Sequence, residues 1–101
     1  MAYRVASKLT FSAAWANMKE DERLSEQVAA LEVVAKYGGT IESQHVLWSD
    51  GVLLSIASYP DQASSVKSEM AITARGAFVL QSQPAFTLDE IVGWQGEVAT
   101  S

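Results

Sequence analysis

His45 is the side chain of this sequence best suited to proton transfer near neutral pH. It is the only histidine among the 101 residues, and imidazole is the group that most readily gives and takes protons in this range. A plain hydrogen-bonded position on a strand would suit the same residue, because no carboxylate or second metal ligand stands at a recognised spacing from it. We therefore take His45 as the candidate catalytic residue and predict no metal site.

Two aromatic residues of the same region could shape a pocket for a flat organic molecule. Trp48 and Tyr59 offer large ring surfaces that lose little conformational entropy on binding. Ser43 and Ser55 lie on the same two predicted strands and complete the candidate ligand-binding set. Core packing or a dimer interface would use the two rings equally well, so both interpretations stay open at this stage.

Several enzyme classes are excluded by residues that the sequence lacks. It contains no cysteine, which rules out disulfides, thiolate zinc sites, iron–sulfur clusters and cysteine nucleophiles. No serine stands in a Gly-x-Ser-x-Gly elbow. Gly38 and Gly39 end a predicted helix, whereas a phosphate loop opens one. We predict no cofactor, and the sequence leaves open whether the protein is an enzyme.

The charge and the hydropathy of the chain disfavour two kinds of partner. Seven basic and twelve acidic residues give a formal charge of -5, and no basic patch is visible that would attract a nucleic acid. No apolar run approaches the ~20 residues needed to cross a bilayer, and the first residues lack the pattern of an export signal. We expect a cytoplasmic protein that binds neither nucleic acid nor membrane.

The candidate residues must be positioned by one α+β domain over residues 1–101, because the chain has the length of a single domain. Alternating apolar residues predict strands, spacings of three and four predict helices, and the Asp-Gly pair between two strands predicts a hairpin. The predicted strands cover residues 3–11, 40–48, 52–59 and 77–83. The predicted helices lie near 21–37, between Asp61 and Gly76 and, as a short last helix, from Thr87 to near Gly93 or Gly96, and residues 12–20 form a connector with room for a helical turn.

The order of these elements predicts a ferredoxin-like βαββαβ fold. Short loops and right-handed crossovers would give a four-stranded antiparallel sheet with two helices on one face and a short C-terminal helix. Two apolar stripes are predicted to pack on the sheet. They consist of Leu24, Val28, Leu31 and Ala35 in the first helix and of Ala63, Val66, Met70 and Ala74 in the second.

The hairpin has two possible registers, which place the candidate residues differently. If Asp50 and Gly51 alone form the turn, one face carries Glu42, Gln44, Val46, Trp48, Leu53, Ser55, Ala57 and Tyr59. If Ser49 joins the turn, His45 and Ser43 share a face with Leu47, Leu53, Ser55, Ala57 and Tyr59.

The two helices can cover only one face of such a sheet, which leaves the other face exposed. Either register gives one face a mixture of aliphatic, aromatic and polar residues that is too apolar to remain in water. We therefore predict a homodimer through the sheets. A symmetric pairing of this kind could enclose a cavity.

Three segments resemble the GYD-domain family, a group of small bacterial proteins in the dimeric α+β barrel superfamily. They are Tyr37-Gly38-Gly39-Thr40, then Leu53-Leu54-Ser55-Ile56 leading to Pro60-Asp61, and then Ala85-Phe86-Thr87-Leu88-Asp89-Glu90-Ile91. The namesake motif, with its Tyr and Asp at the hairpin, is replaced here by Ser49-Asp50-Gly51-Val52, so no role of that Tyr or Asp is carried over. The resemblance implies a dimeric α+β barrel of uncharacterised function.

The sequence therefore favours a small dimeric module that binds a small molecule or a protein partner. The alternative is a cofactor-independent oxygenase, isomerase or cyclase acting on a small aromatic compound, by analogy with other proteins of this fold. In that alternative His45 moves a proton while Trp48 and Tyr59 hold the substrate. A closed cavity with His45 pointing into it would favour the enzyme.

Overall fold

The computed structural model describes residues 2–100 and contains one four-stranded antiparallel sheet and four helices. The protein is therefore an α+β protein, as the sequence predicts. In chain order the elements are β1 (Tyr3–Phe11), α1 (Ala13–Ala16), α2 (Glu20–Lys36), β2 (Thr40–Leu47), β3 (Val52–Tyr59), α3 (Gln62–Ala74), β4 (Phe78–Pro84) and α4 (Leu88–Thr100).

The strands lie in the order β2-β3-β1-β4, and each strand is antiparallel to its neighbours. The predicted hairpin between β2 and β3 is confirmed. Its loop has four residues, 48–51, because Leu47 and Val52 form the last pair of the ladder. Gly51 has a φ of 66°, and its N–H donates to the Leu47 carbonyl at 2.9 Å. A glycine is favoured here because a side chain rarely tolerates this left-handed backbone.

The observed register follows neither alternative completely. Gln44 and Val46 share a face with Leu53 and Ser55, as the shorter turn predicts, but Leu53 is paired with Val46 and not with Trp48. Trp48, however, is in the loop and not on the strand face, because the loop takes four residues. A bulge between Ile41 and Ser43 also inserts Glu42 as an extra residue, so Glu42 leaves the predicted face. The second alternative, which puts His45 and Ser43 on the face of Ser55, Ala57 and Tyr59, is wrong.

The sheet has one face toward α2 and α3 and one face without helices. Val5, Ser7 and Leu9 of β1 point toward the helices, together with their cross-strand neighbours Ser55 and Leu80. Because side chains alternate along a strand, the intervening residues form the other face, which we call the helix-free face. It carries Arg4, Ala6, Lys8, Ser43, His45, Leu54, Ile56, Gln81 and Gln83.

Most residues of the apolar stripes predicted for α2 and α3 do not face the sheet, although Leu31 of α2 lines a space between the helices and the sheet. Leu24 is 61% exposed in α2, and Met70 is 65% exposed in α3. The residues of α2 that pack on the core are instead Ala30, Val33 and Val34, and α3 buries Ser65, Ser68 and Ile72. The prediction is wrong because small side chains let α3 approach the sheet, and because the Ser68 hydroxyl group has a hydrogen-bond partner there.

The buried apolar residues form two clusters, and Val34 packs against both. One contains Val5, Ala57 and Tyr59, with Tyr3, Val34, Tyr37 and Ile41 packed around it. The other contains Ile72, Ala77 and Phe78, with Leu9, Trp15, Met18, Ala30, Val33, Val34 and Leu80 around it. A domain usually has one continuous core, so the region between these clusters needs a separate explanation.

Helix α4 begins where the sequence predicts but runs further. The predicted capping box is present: the Thr87 N–H donates to Glu90 Oε1 at 3.0 Å, and the Glu90 N–H donates to Thr87 Oγ1 at 3.1 Å. These bonds, together with Arg4, hold the pKa of Glu90 below its ordinary value. The predicted end near Gly93 or Gly96 is wrong, because neither glycine adopts a positive φ and the helix continues to Thr100.

Gly39 is required for space and not for a left-handed backbone. Of the predicted pair after α2, only Gly38 has a positive φ, of 77°. A Cβ atom on Gly39 would lie 2.6 Å from Cε1 of Tyr59 and 2.7 Å from Cγ1 of Val34. The first core cluster therefore depends on the missing side chain at this position.

We expect Gly39→Ala to lower the free energy of unfolding by about 1–3 kcal/mol, because the added methyl group overpacks a buried aromatic ring. Urea denaturation followed by circular dichroism measures the change. Gly96→Ala is the matched control, since a Cβ atom there meets nothing within 4 Å and alanine favours the helix. Equal stability of Gly39→Ala and the wild type would contradict this account of Gly39.

Candidate functional site

A cavity of about 80 Å³ lies between the two core clusters, under α2 and α3 and above the helix-facing side of the sheet. We call it the inner cavity. A second space of about 250 Å³, the outer cleft, adjoins it toward Phe11 and Gln27. The two spaces share five lining residues, Leu9, Ala30, Leu31, Gln44 and Leu53. They therefore form one recess that leads from the surface to the centre of the sheet.

The floor of the inner cavity is a row of polar side chains that crosses all four strands. Ser7 on β1 is paired with Ser55 on β3 and with Ser82 on β4, and Ser55 is paired with Gln44 on β2. We call these four residues the polar row. The hydroxyl groups of Ser7 and Ser82 are 2.8 Å apart and share a hydrogen bond.

The polar row explains why the cavity exists. The inward positions on one side of the row hold Val5 and Ala57, and those on the other side hold Leu9, Leu53 and Leu80. A hydroxymethyl group is much smaller than these aliphatic side chains, so the centre of the sheet is not filled. The amino-acid sequence therefore places a gap in the core where protein interiors are normally close-packed.

Helix α3 provides a roof with further hydroxyl groups. Tyr59 is 6% exposed, and its hydroxyl group lies 2.9 Å from Oγ of the fully buried Ser68. Ser65 is also 6% exposed and lines the cavity. No hydrogen bond is formed by the Ser65 hydroxyl group within residues 2–100. Ser65 thus presents a free hydroxyl group to the cavity.

The recess contains little charge. Among the described residues that line the inner cavity and the outer cleft, Glu69 of α3 is the only one that is formally charged at neutral pH, and none is lysine, arginine or histidine. The lining is otherwise aliphatic, aromatic, amide or hydroxyl. Such a surface suits an apolar ligand with a few hydrogen-bonding groups.

The five residues that the sequence nominates are divided between three places. Tyr59 and Ser55 line the inner cavity. His45, opposite Leu54 of β3, and Ser43 lie on the helix-free face. Trp48 is 90% exposed in the hairpin loop. Within one chain, the structure brings Tyr59 and Ser55 together and keeps His45, Ser43 and Trp48 away from them.

The sequence reasoning missed most of the cavity lining. Ser7, Ser82 and Gln44 occupy inward positions of their strands, and Ser65 and Glu69 lie on α3. A signal was present in β1, where Ser7 stands between the inward apolar residues Val5 and Leu9. It becomes informative only when the pairing register shows that serines stand beside Ser7 on both neighbouring strands.

The described part of the chain shows neither a metal centre nor a membrane helix. Within residues 2–100, no three His, Cys, Asp or Glu side chains are grouped so that they could hold a metal ion. No helix of the same residues has the length and hydropathy to span a bilayer.

The sequence matches none of the known protein-family models and none of the curated proteins. The class of this protein is therefore defined by its fold and its site. It is a small α+β protein with an internal, mainly apolar recess floored by hydroxyl groups.

We expect Ser55→Val to raise the free energy of unfolding by about 1 kcal/mol, because two methyl groups fill part of the inner cavity. Ser58→Val is the matched control on the same strand, since Ser58 faces the opposite side of the sheet and gains the same β-propensity. Denaturant titration of both variants measures the difference. Equal effects of the two substitutions would show that the cavity is not a void that a side chain can fill.

Proposed function

We propose that this protein is a small-molecule-binding module whose ligand lies between the helices and the sheet. The observation that carries the proposal is the polar row, which keeps the centre of the core open. Replacing a central serine by an aliphatic residue is an easy route to greater stability, and the recurrent cost of such changes is lost function; here four polar side chains are aligned at the one place where the core stays open. A cavity formed in this way is therefore better explained by a ligand than by imperfect packing.

The dimensions of the recess indicate a small ligand. The inner cavity of about 80 Å³ and the outer cleft of about 250 Å³ are each smaller than a usual ligand site, roughly 300–1,000 Å³, and only the recess as a whole reaches the lower end of that range. A compound of two or three rings fits the inner cavity and the outer cleft taken together. The aliphatic walls would hold its body, and the floor would contact its polar edge.

We also propose the finer fold assignment, a ferredoxin-like βαββαβ fold related to the GYD-domain family. In support, one helix precedes β2 and another precedes β4, and both central strands, β1 and β3, are antiparallel to their neighbours. The segment Tyr37-Gly38-Gly39-Thr40 also has a structural role, because Gly39 accommodates the buried Tyr59 ring. A bacterial origin and a cytoplasmic location belong to the same proposal.

A homodimer is the proposed assembly, because the single chain exposes too much surface. Its accessible area is 6861 Å², whereas a compact monomer of 10.9 kDa has about 5,600 Å². The radius of gyration, 15.8 Å, likewise exceeds the ~13 Å typical of a domain of this length. The excess, about 1,300 Å², is larger than the roughly 800 Å² that each partner buries in a stable interface.

The helix-free face and α4 are the proposed interface. Leu54 and Ile56 of this face are only half-buried in the single chain, and α4 exposes Leu88 by 76% and Val92 by 56%. Arg4 connects the two regions, because its guanidinium group pairs with Glu42 on β2 and with Glu90 on α4. A second copy could therefore cover the sheet and the helix together.

The enzymatic alternative, an oxygenase, isomerase or cyclase, has less support. His45 lies on the helix-free face, and Tyr59 lies in the inner cavity on the other side of the sheet. One chain therefore does not present the proposed base and the proposed substrate pocket to the same molecule. Catalysis by His45 would require a second cavity, formed between two copies at the helix-free face.

Binding of N-phenyl-1-naphthylamine tests the proposed function. This neutral dye fluoresces in apolar surroundings, and we expect saturable binding that is weakened at least about 10-fold in Ser55→Leu, because the larger side chain blocks the inner cavity. Ser58→Leu, which places the same side chain on the other face of β3, should bind normally. Absence of saturable binding, or equal binding by the two variants, would contradict the proposal.

Sedimentation equilibrium tests the proposed dimer. We expect the wild type to be dimeric at concentrations on the order of tens of micromolar, and Ile56→Glu to be monomeric because it places a charge on the helix-free face. Met70→Glu, on the exposed side of α3, should remain dimeric. Circular dichroism checks that both variants are folded. A monomeric wild type, or dissociation by Met70→Glu alone, would reject this interface.

A further inference from the structure

We infer that the recess selects uncharged ligands: apolar molecules with hydroxyl or carbonyl groups along one edge, and not carboxylates, sulfonates or phosphates. This inference rests on the proposed binding function and specifies the chemical class of the ligand. It follows from three features, namely the charges around the recess, the geometry of the polar row and the free hydroxyl group on α3.

The first feature is the absence of a cation that could accompany an anionic ligand. Of the described residues that line the recess, Glu69 alone is charged, and a second negative charge beside it would be repelled. An anion entering an apolar cavity also loses its hydration without gaining a partner, which costs several kcal/mol. The net charge of the chain also disfavours an anionic ligand, because the formal charge is -5.

Several cations of the chain have other partners. Arg75 forms two hydrogen bonds with Glu26, at 2.9 and 3.0 Å. Arg23 lies over the Trp15 ring and donates to the carbonyl groups of Trp15 and Ala16. Arg4 is paired with carboxylates on the helix-free face, as described above. Moving any of these groups toward a ligand would break its existing contacts.

The second feature is the arrangement of the hydroxyl groups on the floor. Ser55, Ser7 and Ser82 stand side by side on neighbouring strands, which lie about 4.8 Å apart, and the hydroxyl groups of Ser7 and Ser82 approach each other to 2.8 Å. A hydroxyl group can both donate and accept hydrogen bonds. The row therefore matches neutral hydroxyl and carbonyl groups, while the aliphatic residues on either side contact the apolar body of the ligand.

The third feature is Ser65 on the roof. The residue is 6% exposed and lines the inner cavity, and its hydroxyl oxygen, which is accessible from the cavity and not sealed in the core, forms no hydrogen bond within residues 2–100. A hydroxyl group that is accessible from a cavity can donate to or accept from a molecule inside it. A neutral ligand with a polar group would provide this partner, and it would place hydrogen bonds on both the roof and the floor of the cavity.

A pair of dyes with one ring system tests the selection by charge. N-Phenyl-1-naphthylamine is neutral, and 8-anilinonaphthalene-1-sulfonate carries the same rings with an added sulfonate. For each dye, only the binding that is lost in Ser55→Leu is counted, which removes binding to exposed apolar surface. We expect the neutral dye to bind at least about 10-fold more tightly, since an unpaired buried charge costs more than the 1.4 kcal/mol of one decade.

The outcomes separate this inference from the proposed function. If neither dye shows binding that depends on Ser55, the binding function itself fails. If the sulfonate binds as tightly as the neutral dye in a manner that depends on Ser55, the recess binds small molecules but the inference about charge is overturned. Tighter binding of the neutral dye supports both.

A second pair of probes tests the polar row directly. Naphthalene and 1-naphthol differ by one hydroxyl group, so the ratio of their affinities reports hydrogen bonding inside the recess. We expect Ser82→Ala to reduce the preference for 1-naphthol roughly 5-fold, the usual size of one lost hydrogen bond. Ser25→Ala on the outer surface of α2 is the control. An unchanged ratio in Ser82→Ala, Ser55→Ala and Ser65→Ala would show that these hydroxyl groups do not contact the ligand.

Discussion

The serines at the centre of the sheet are the constraint on which the other features of this protein depend. Ser7, Ser55 and Ser82 stand side by side on three neighbouring strands, so the buried apolar residues of the sheet on either side are separated, and Val34 of α2 is the residue that packs against both groups. The result is two small clusters in place of one core. Only six hydrophobic residues are buried among those described, and further burial against a second copy would therefore add substantially to a small apolar contribution.

Tyr59 compensates for part of this constraint by joining the sheet to α3 across the gap. Its ring belongs to the first cluster, and its hydroxyl group reaches Ser68 on the helix. The close approach of the backbone at Gly39 leaves room for the ring. The same residue therefore contributes apolar packing at one end of the cavity and a satisfied polar contact at its roof, which holds α3 over the sheet without filling the space between them.

Local rules account for the parts of the structure that the sequence predicts well. The caps at Asp61 and Thr87, the Asp-Gly hairpin and the alternation of the strands depend on residues a few positions apart, and these features are present. Which side of α2 and of α3 packs on the sheet depends instead on residues far along the chain. Periodicity measures only how apolar each side of a helix is, so it predicts that Met70, and not Ser68, lies on the buried side of α3. Periodicity takes no account of the hydrogen bond between Tyr59 and Ser68, which makes a serine suitable for the interior.

The candidate residues are divided between the two faces of the sheet for the same reason, because their positions depend on how distant parts of the chain pair. The bulge at Glu42 and the four-residue loop decide the face of every later residue of β2, and they leave His45 and Ser55 on opposite sides of the sheet. Two chemically different surfaces result: one side carries Arg4, Lys8 and His45, while the other side is nearly uncharged. Because residues of the two surfaces alternate along the same strands, a ligand above Ser55 and a second copy against Ile56 would stabilise β3 from opposite faces without sharing a side chain. The proposed ligand and the proposed partner copy would each make the shared strands more rigid. Each could therefore favour the other, although neither contacts a side chain of the opposite surface.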